Sequence, residues 1–237
     1  MTRGRRNGPR GPPTRREIYD VAQVAANIFE DHGLPVCLFG STACALWGID
    51  RRPNDVDMVV MTDQYDSEEL KYMLVNEDGS FYLVPSANPR NNYEVLWYTL
   101  RSARNAERRA CKVDILLPGT MDIPWIPTPR VVYRHPFGVE DIRSLPVMPL
   151  EPLLLLKLQG WSDHLASPRM DFQEKVHTDA DDIAQLVEIC VDAGVKPHKA
   201  KWLDFDFRKK GLERVHDFAD AYPEVWGWAE LGYRVYG

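Results

Sequence analysis

Two aspartates, Asp55 and Asp57, stand one residue apart in DVDMVV, among Val56, Met58, Val59 and Val60. Side chains of a strand alternate between its two faces, so both carboxylates point the same way. Two like charges at that spacing repel, and burial pushes each toward its neutral form. A divalent cation removes the conflict, and Mg2+ takes carboxylate oxygens while leaving positions for water and substrate phosphates. Asp114 sits in a similar setting, between Val113 and Ile115 in CKVDILL. If the two strands pair, three carboxylates on one face can hold two metals, one activating an entering nucleophile and one steadying the leaving group. Upstream, Gly40 and Ser41 stand where the apolar run LPVCLF passes into TACALWG. Glycine lets a phosphate approach the backbone, and a helix N-terminus with a Ser hydroxyl offers donors. Alone, an Asp-x-Asp is common and a Gly-Ser is often only a turn. In this order, on expected strand edges, they form a triphosphate-and-metal arrangement.

The elements that must position these groups follow from periodicity. REIYDVAQVAANIFEDHG has a helical period, with Ile18, Val21, Ala22, Ala25, Ile28 and Phe29 on one face and Gly33 suited to the cap. LPVCLFGS reads as a strand, TACALWG as a short helix and DVDMVVM as a second strand, with RRPN as the turn between them. Residues 63–72 read as a helix, NYEVLWYTL as a strand after a turn at Asn91 and Asn92, and CKVDILLPG as a further strand. From Pro146 the pattern turns helical. Leu150, Leu153, Leu154, Leu158, Trp161 and Leu165 share a face, and a second helix is expected to start at Thr178 and end at Gly194. The fold class expected is α+β. A disordered basic tail covers residues 1–16, a small mixed-sheet domain with flanking helices covers 17–145, and a helical C-terminal region covers 146–237. The tryptophans at 161, 202, 226 and 228 are expected to pack that helical region.

At 237 residues and 44% hydrophobic content the chain can bury a sizeable core, and its net charge of −6 gives no general reason to bind nucleic acid or membrane. The opening MTRGRRNGPRGPPTRR carries six arginines, which leaves room for a weak nucleic-acid contact, as does RSARNAERR. It lacks the apolar run of a secretory signal, and no later run reaches the length of a membrane helix, so a cytoplasmic location is expected, the nucleus remaining open. Cys37, Cys44, Cys111 and Cys190 fit no zinc spacing and read as buried thiols. His135, His164, His177 and His216 show no metal-ligand spacing with one another.

The residues FGS at 39–41, then thirteen residues, DVDM at 55–58 and a distant VDI at 113–115 resemble the nucleotidyltransferase superfamily of DNA polymerase β type. Within it the chain is similar to small bacterial-type members, including the AbiEii-like group. Arg51 lies four residues before Asp55, PLLLLKLQGW matches a later helix motif, and Asp179, Asp182 and Ile183 match an Asp-x-x-Asp-Ile. The resemblance implies transfer of a nucleotidyl group from an NTP, with ATP the first guess, to an acceptor hydroxyl on a protein, an RNA end or a small molecule. It implies two Mg2+ ions, or Mn2+ in their place, held by Asp55, Asp57 and Asp114. Gly40 and Ser41 would grip the β- and γ-phosphates, and Arg51 and Lys157 are candidate nucleotide contacts. For Lys157 a snorkelling lysine is the alternative, and for Arg51 a pairing with a nearby acid. Pro53 and Thr178 depart from the family's usual Ser or Thr and Lys at those places. A non-catalytic member that binds a partner or nucleic acid is the competing reading, and a toxin paired with an antitoxin is a third.

Overall fold

The first helix starts on a reciprocal cap. The Thr14 hydroxyl accepts from the Glu17 amide, and the Glu17 carboxylate accepts from the Thr14 amide at 2.7 Å, which satisfies two amides a helix leaves unpaired. In this computed structural model, which describes residues 11–88, 92–100 and 109–235, α1 runs Arg15–Asp31. It buries Ile18, Val21, Ala22, Ala25 and Phe29, and Gly33, at φ +71°, follows its end. Residues 1–10 of the expected tail, Asn91 of the expected turn and residues 101–108 of the arginine-rich stretch lie outside the described residues. Within that expected tail, the Pro12 and Pro13 carbonyls accept from Arg109 and Arg52 at 2.7 and 3.0 Å. The capping pair Thr14 and Glu17 sets the helix start, and the arginine content around it hides that signal.

The remaining order is β1 (Val36–Leu38), α2 (Gly40–Trp47), β2 (Asp55–Val60), α3 (Ser67–Glu77), β3 (Phe81–Pro85), β4 (Glu94–Leu100) and β5 (Arg109–Leu116). Then come β6 (Val132–Arg134), β7 (Leu145–Val147), α4 (Leu150–Ala166), α5 (Met170–Gln173), α6 (Lys175–Asp192) and α7 (Phe205–Ala221). Among the described residues seven strands form one mixed sheet, in the order β3-β4-β5-β2-β1-β7-β6. β2 lies parallel to β5 and β1 parallel to β7, and the other pairs are antiparallel. This is the expected α+β arrangement with a helical C-terminal region.

α3 starts at Ser67 rather than 63, because Asp66 and Glu69 form a second reciprocal cap. α6 starts at Lys175, so Thr178 lies inside the helix instead of capping it. Val176 is buried and extends the apolar stripe one turn toward the N-terminus. One core runs from Leu38, Leu46 and Met58 of the sheet region into Leu153, Leu154, Leu158, Ile183 and Leu186 of the helices. Trp161 and Trp228 pack in it, with Trp161 edge-on to Phe218 at 5.1 Å, whereas Trp226 is 63% exposed. Leu165, in the last turn of α4, is exposed as well. The four cysteines are buried and free, and burial pushes each thiol up to about 12. Among the described residues no helix is long and apolar enough to cross a membrane.

Candidate active site

Parallel pairing of β2 with β5 sets Asp57 directly opposite Asp114 and Asp55 opposite Lys112. Paired residues on neighbouring strands share a face, so the three expected carboxylates converge. One oxygen from each lies within 4.8 Å of the others. Burial, then the nearby Asp55 and Asp114, pushes Asp57 up to about 8. Burial followed by Asp114 raises Asp55 as well. Lys112 was not singled out from the sequence. Its ammonium donates to Asp114 Oδ2 at 2.5 Å, and its place two residues before Asp114 was the available signal, since i and i+2 share a strand face.

Gly40 has a specific task here. Its φ is +59°, and a Cβ added to it would come within 2.4 Å of Asp57 Oδ2. A side chain at this position would therefore push the carboxylate out of the cluster. Ser41 follows in the first turn of α2, half-buried. Thr42, fully buried, donates its hydroxyl to the Asp55 carbonyl at 2.8 Å and fixes the start of β2 against α2. The strand also receives the Phe39 amide, which donates to the Asp57 carbonyl at 3.1 Å.

Arg51 and Lys157 lie in a second cluster alongside. Lys157 is not a snorkelling surface lysine. Its side chain is 12% exposed and its ammonium sits 2.8 Å from Asp182 and 3.0 Å from Asp179. Burial opposes that charge, but Cys44, Asp179 and Asp182 outweigh it and hold the pKa of Lys157 above its ordinary value. Arg51 pairs with the same Asp182 carboxylate, and His164 Nδ1 lies 2.6 Å from Asp179 Oδ2. The charge of Lys157 reaches Asp57 and that of Arg51 reaches Asp55. The expected nucleotide contacts thus stand next to the carboxylates, already matched by the acids of the Asp-x-x-Asp on α6.

A mixed sheet with Asp-x-Asp on one strand, a third Asp on its parallel neighbour and a Gly-Ser helix entry defines a nucleotidyltransferase-like fold. The chain is similar to the crystal structure of an antigenic nucleotidyltransferase-like protein from Paracoccidioides brasiliensis. That similarity has a TM-score of 0.69 at 16% identity, over 96% of this chain and 97% of that one. Two structures of the antibiotic-resistance factor ANT(2″)-Ia overlap more loosely. Its solution structure gives a TM-score of 0.39 at 15% identity over 84% of this chain and 96% of that one. Its crystal structure in complex with adenylyl-2″-tobramycin gives 0.41 at 13% over 86% and 98%. No protein-family model matches the sequence, and no curated protein matches it either. What the first of these likenesses establishes is the fold.

Proposed function

We propose that the protein is a Mg2+-dependent nucleotidyltransferase that moves an NMP group from an NTP to an acceptor hydroxyl. The observation that carries this reading is the convergence of Asp55, Asp57 and Asp114 within 4.8 Å on two parallel neighbouring strands. Their donor set fits the group. It is all carboxylate oxygen, which suits a hard cation, and positive charge is short at the site. Lys112 is engaged with Asp114, while Arg51 and Lys157 are engaged with Asp182. Mg2+, or Mn2+ in its place, would be held by Asp55, Asp57 and Asp114, and would supply charge stabilisation to the triphosphate and the entering oxygen.

The chain's own residues account for the rest. The acceptor oxygen forms a bond to the α-phosphorus as the bond from that phosphorus to the α,β-bridging oxygen breaks, and pyrophosphate leaves. Asp114, the outermost carboxylate toward β4, takes the acceptor's proton. The backbone at Gly40 and the Ser41 hydroxyl bind the β- and γ-phosphates at the start of α2. Arg51 and Lys157 face the same phosphates from the side of α4 and α6. ATP is the first NTP to try. The AbiEii-like subgroup rests on the Arg51, Leu-Lys-Leu and Asp-x-x-Asp motifs.

Calorimetric titration with each of the four NTPs, with and without Mg2+, tests the assignment. Mg2+-dependent binding that the Asp55→Asn, Asp57→Asn double variant loses is the expected result. Folded wild-type protein that binds none of the four would overturn it.

A further inference from the structure

The sheet does not end at the carboxylates. Register carries one row of side chains across four adjacent strands. Tyr82 of β3 pairs with Trp97 of β4, Trp97 with Lys112 of β5, and Lys112 with Asp55 of β2. Paired residues share a face, so this row lies on the same face as the active-site carboxylates. Val84 and its partner Val95, two residues from Tyr82 and Trp97, belong to that face too. The opposite face of the same strands is the buried one, where Phe81 packs edge-on to Tyr98 at 4.7 Å and Leu96, Cys111 and Val113 are closed off. On the carboxylate face Tyr82 remains 36% and Val84 37% exposed, and Trp97 is half-buried. An aromatic shelf therefore extends outward from Lys112, the residue two before Asp114, away from the Gly40 side where the triphosphate is proposed to bind.

We infer that this shelf is the acceptor subsite and that its occupant is the 3′ end of a single-stranded RNA, its terminal base stacked on Trp97 and Tyr82. The inference rests on the nucleotidyl-transfer reading and names the acceptor class for it. Three features favour that occupant. Partly exposed aromatic rings in a row are a stacking platform for unpaired bases, which need only offer a π-face. Neighbouring strands are about 4.8 Å apart, so a base over Trp97 sets its ribose roughly one strand nearer the carboxylates, over Lys112 and diagonal to Asp114 two residues along the same strand. Lys112 stands between the Trp97 ring and Asp55, where a phosphodiester passes, and the 2′-hydroxyl, both donor and acceptor, is the group by which ribose is told from deoxyribose. The net charge of −6 fits recognition of a terminus and not of a long phosphate tract.

The test uses the full chain in EDTA and a 5′-fluorescein-labelled RNA hexamer followed by anisotropy. The hexamer is expected to bind, and Trp97→Ala to weaken it about tenfold or more, with Trp97→Phe retaining most of the affinity. Trp226→Ala, which removes an exposed tryptophan in another part of the chain, is expected to leave the affinity unchanged. A salt slope no steeper than about −1.5 is expected for one or two phosphate contacts. Circular dichroism melts of each variant confirm that it is folded. The subsite is overturned by a hexamer that does not bind, by Trp97→Ala and Trp226→Ala acting alike, or by a blunt RNA duplex binding as well as the single strand. Equal binding of the DNA hexamer overturns the ribose preference. A tyrosine peptide that binds in a Trp97-dependent way while RNA does not transfers the shelf to a protein acceptor and overturns the RNA assignment. NTP titration of the wild type separates the two levels. Binding of NTP without RNA sinks only the acceptor, whereas loss of NTP binding sinks the parent reading and leaves the shelf to its RNA result.

Discussion

Asp57→Asn is expected to stabilise the metal-free protein. In the fold, burial first and then Asp55 and Asp114 move this carboxyl from its ordinary 3.8 to about 8. A raised carboxyl costs nothing below about pH 3.8, where folded and unfolded chains are both protonated. The cost grows as pH rises and levels off above about 8. From 3.8 to pH 7 is about three pH units, at about 1.4 kcal/mol each, so the full cost at neutral pH is about 4 kcal/mol. Asp57 keeps partial contact with solvent, which screens the repulsion, so about 2 kcal/mol is the working expectation. Asparagine is nearly isosteric, carries no charge and can donate to Asp55 or Asp114. Urea denaturation in EDTA should therefore show the variant more stable than wild type by about 2 kcal/mol at pH 7.5, with a smaller gap at pH 5. Adding Mg2+ should reverse the order, because only wild type gains binding free energy, about 2.7 kcal/mol at a hundredfold excess over Kd. A variant no more stable than wild type at pH 7.5, or a gap that does not widen with pH, would refute the reasoning.

Other consequences can be tested alongside. Gly40→Ala places a methyl within 2.4 Å of Asp57 Oδ2 at a positive φ; it should destabilise the fold by about 1 kcal/mol or more and abolish Mg2+-dependent thermal stabilisation, read by differential scanning fluorimetry. Asp182→Asn leaves Lys157 and Arg51 with too little negative charge in a buried setting and should lower stability by about 3 kcal/mol, measured by urea midpoint. Lys112→Met touches a half-exposed pair and should cost less than about 1 kcal/mol in the same assay. A disulfide reagent should label none of the four cysteines within minutes in native buffer and all four in urea, since each thiol is buried and held up to about 12.

The carboxylates were legible in the sequence because a period of two is enough to put Asp55 and Asp57 on one face, and a charge between Val113 and Ile115 is out of place in a buried strand. The stripe of α4 and the end of α6 at Gly194 were legible for the same kind of reason, being local. What stayed hidden depends on which strand lies beside which. Tyr82 and Trp97 alternate within their own strands, but nothing local says that their face is the one carrying Asp114. That parity comes from the antiparallel register of β3, β4 and β5. The partners of Lys157 likewise come from α6, 22 and 25 residues on, and only packing brings them together. β6 and β7 have three residues each, too short for any period to show. The expected cap at Thr178 failed because Val176 continues the buried stripe upstream of it.

Leu38 pairs with Val147, 109 positions later in the chain, and this has a bearing on synthesis. At the usual pace of translation, roughly 5–20 residues per second, β1 leaves the ribosome about 5–20 s before its parallel partner. During that interval β2 can cover one side of β1 while its other edge stays unpaired, a ready template for wrong strand pairing. Such non-local contacts also slow folding, since a long loop must close before they form. The nascent chain is thus most exposed to aggregation between the emergence of β1 and that of β7, with Gly40 and the carboxylates of β2 already made but not yet framed. A chaperone that covers the free edge of β1 during this interval would raise the yield of folded protein more than one acting after release.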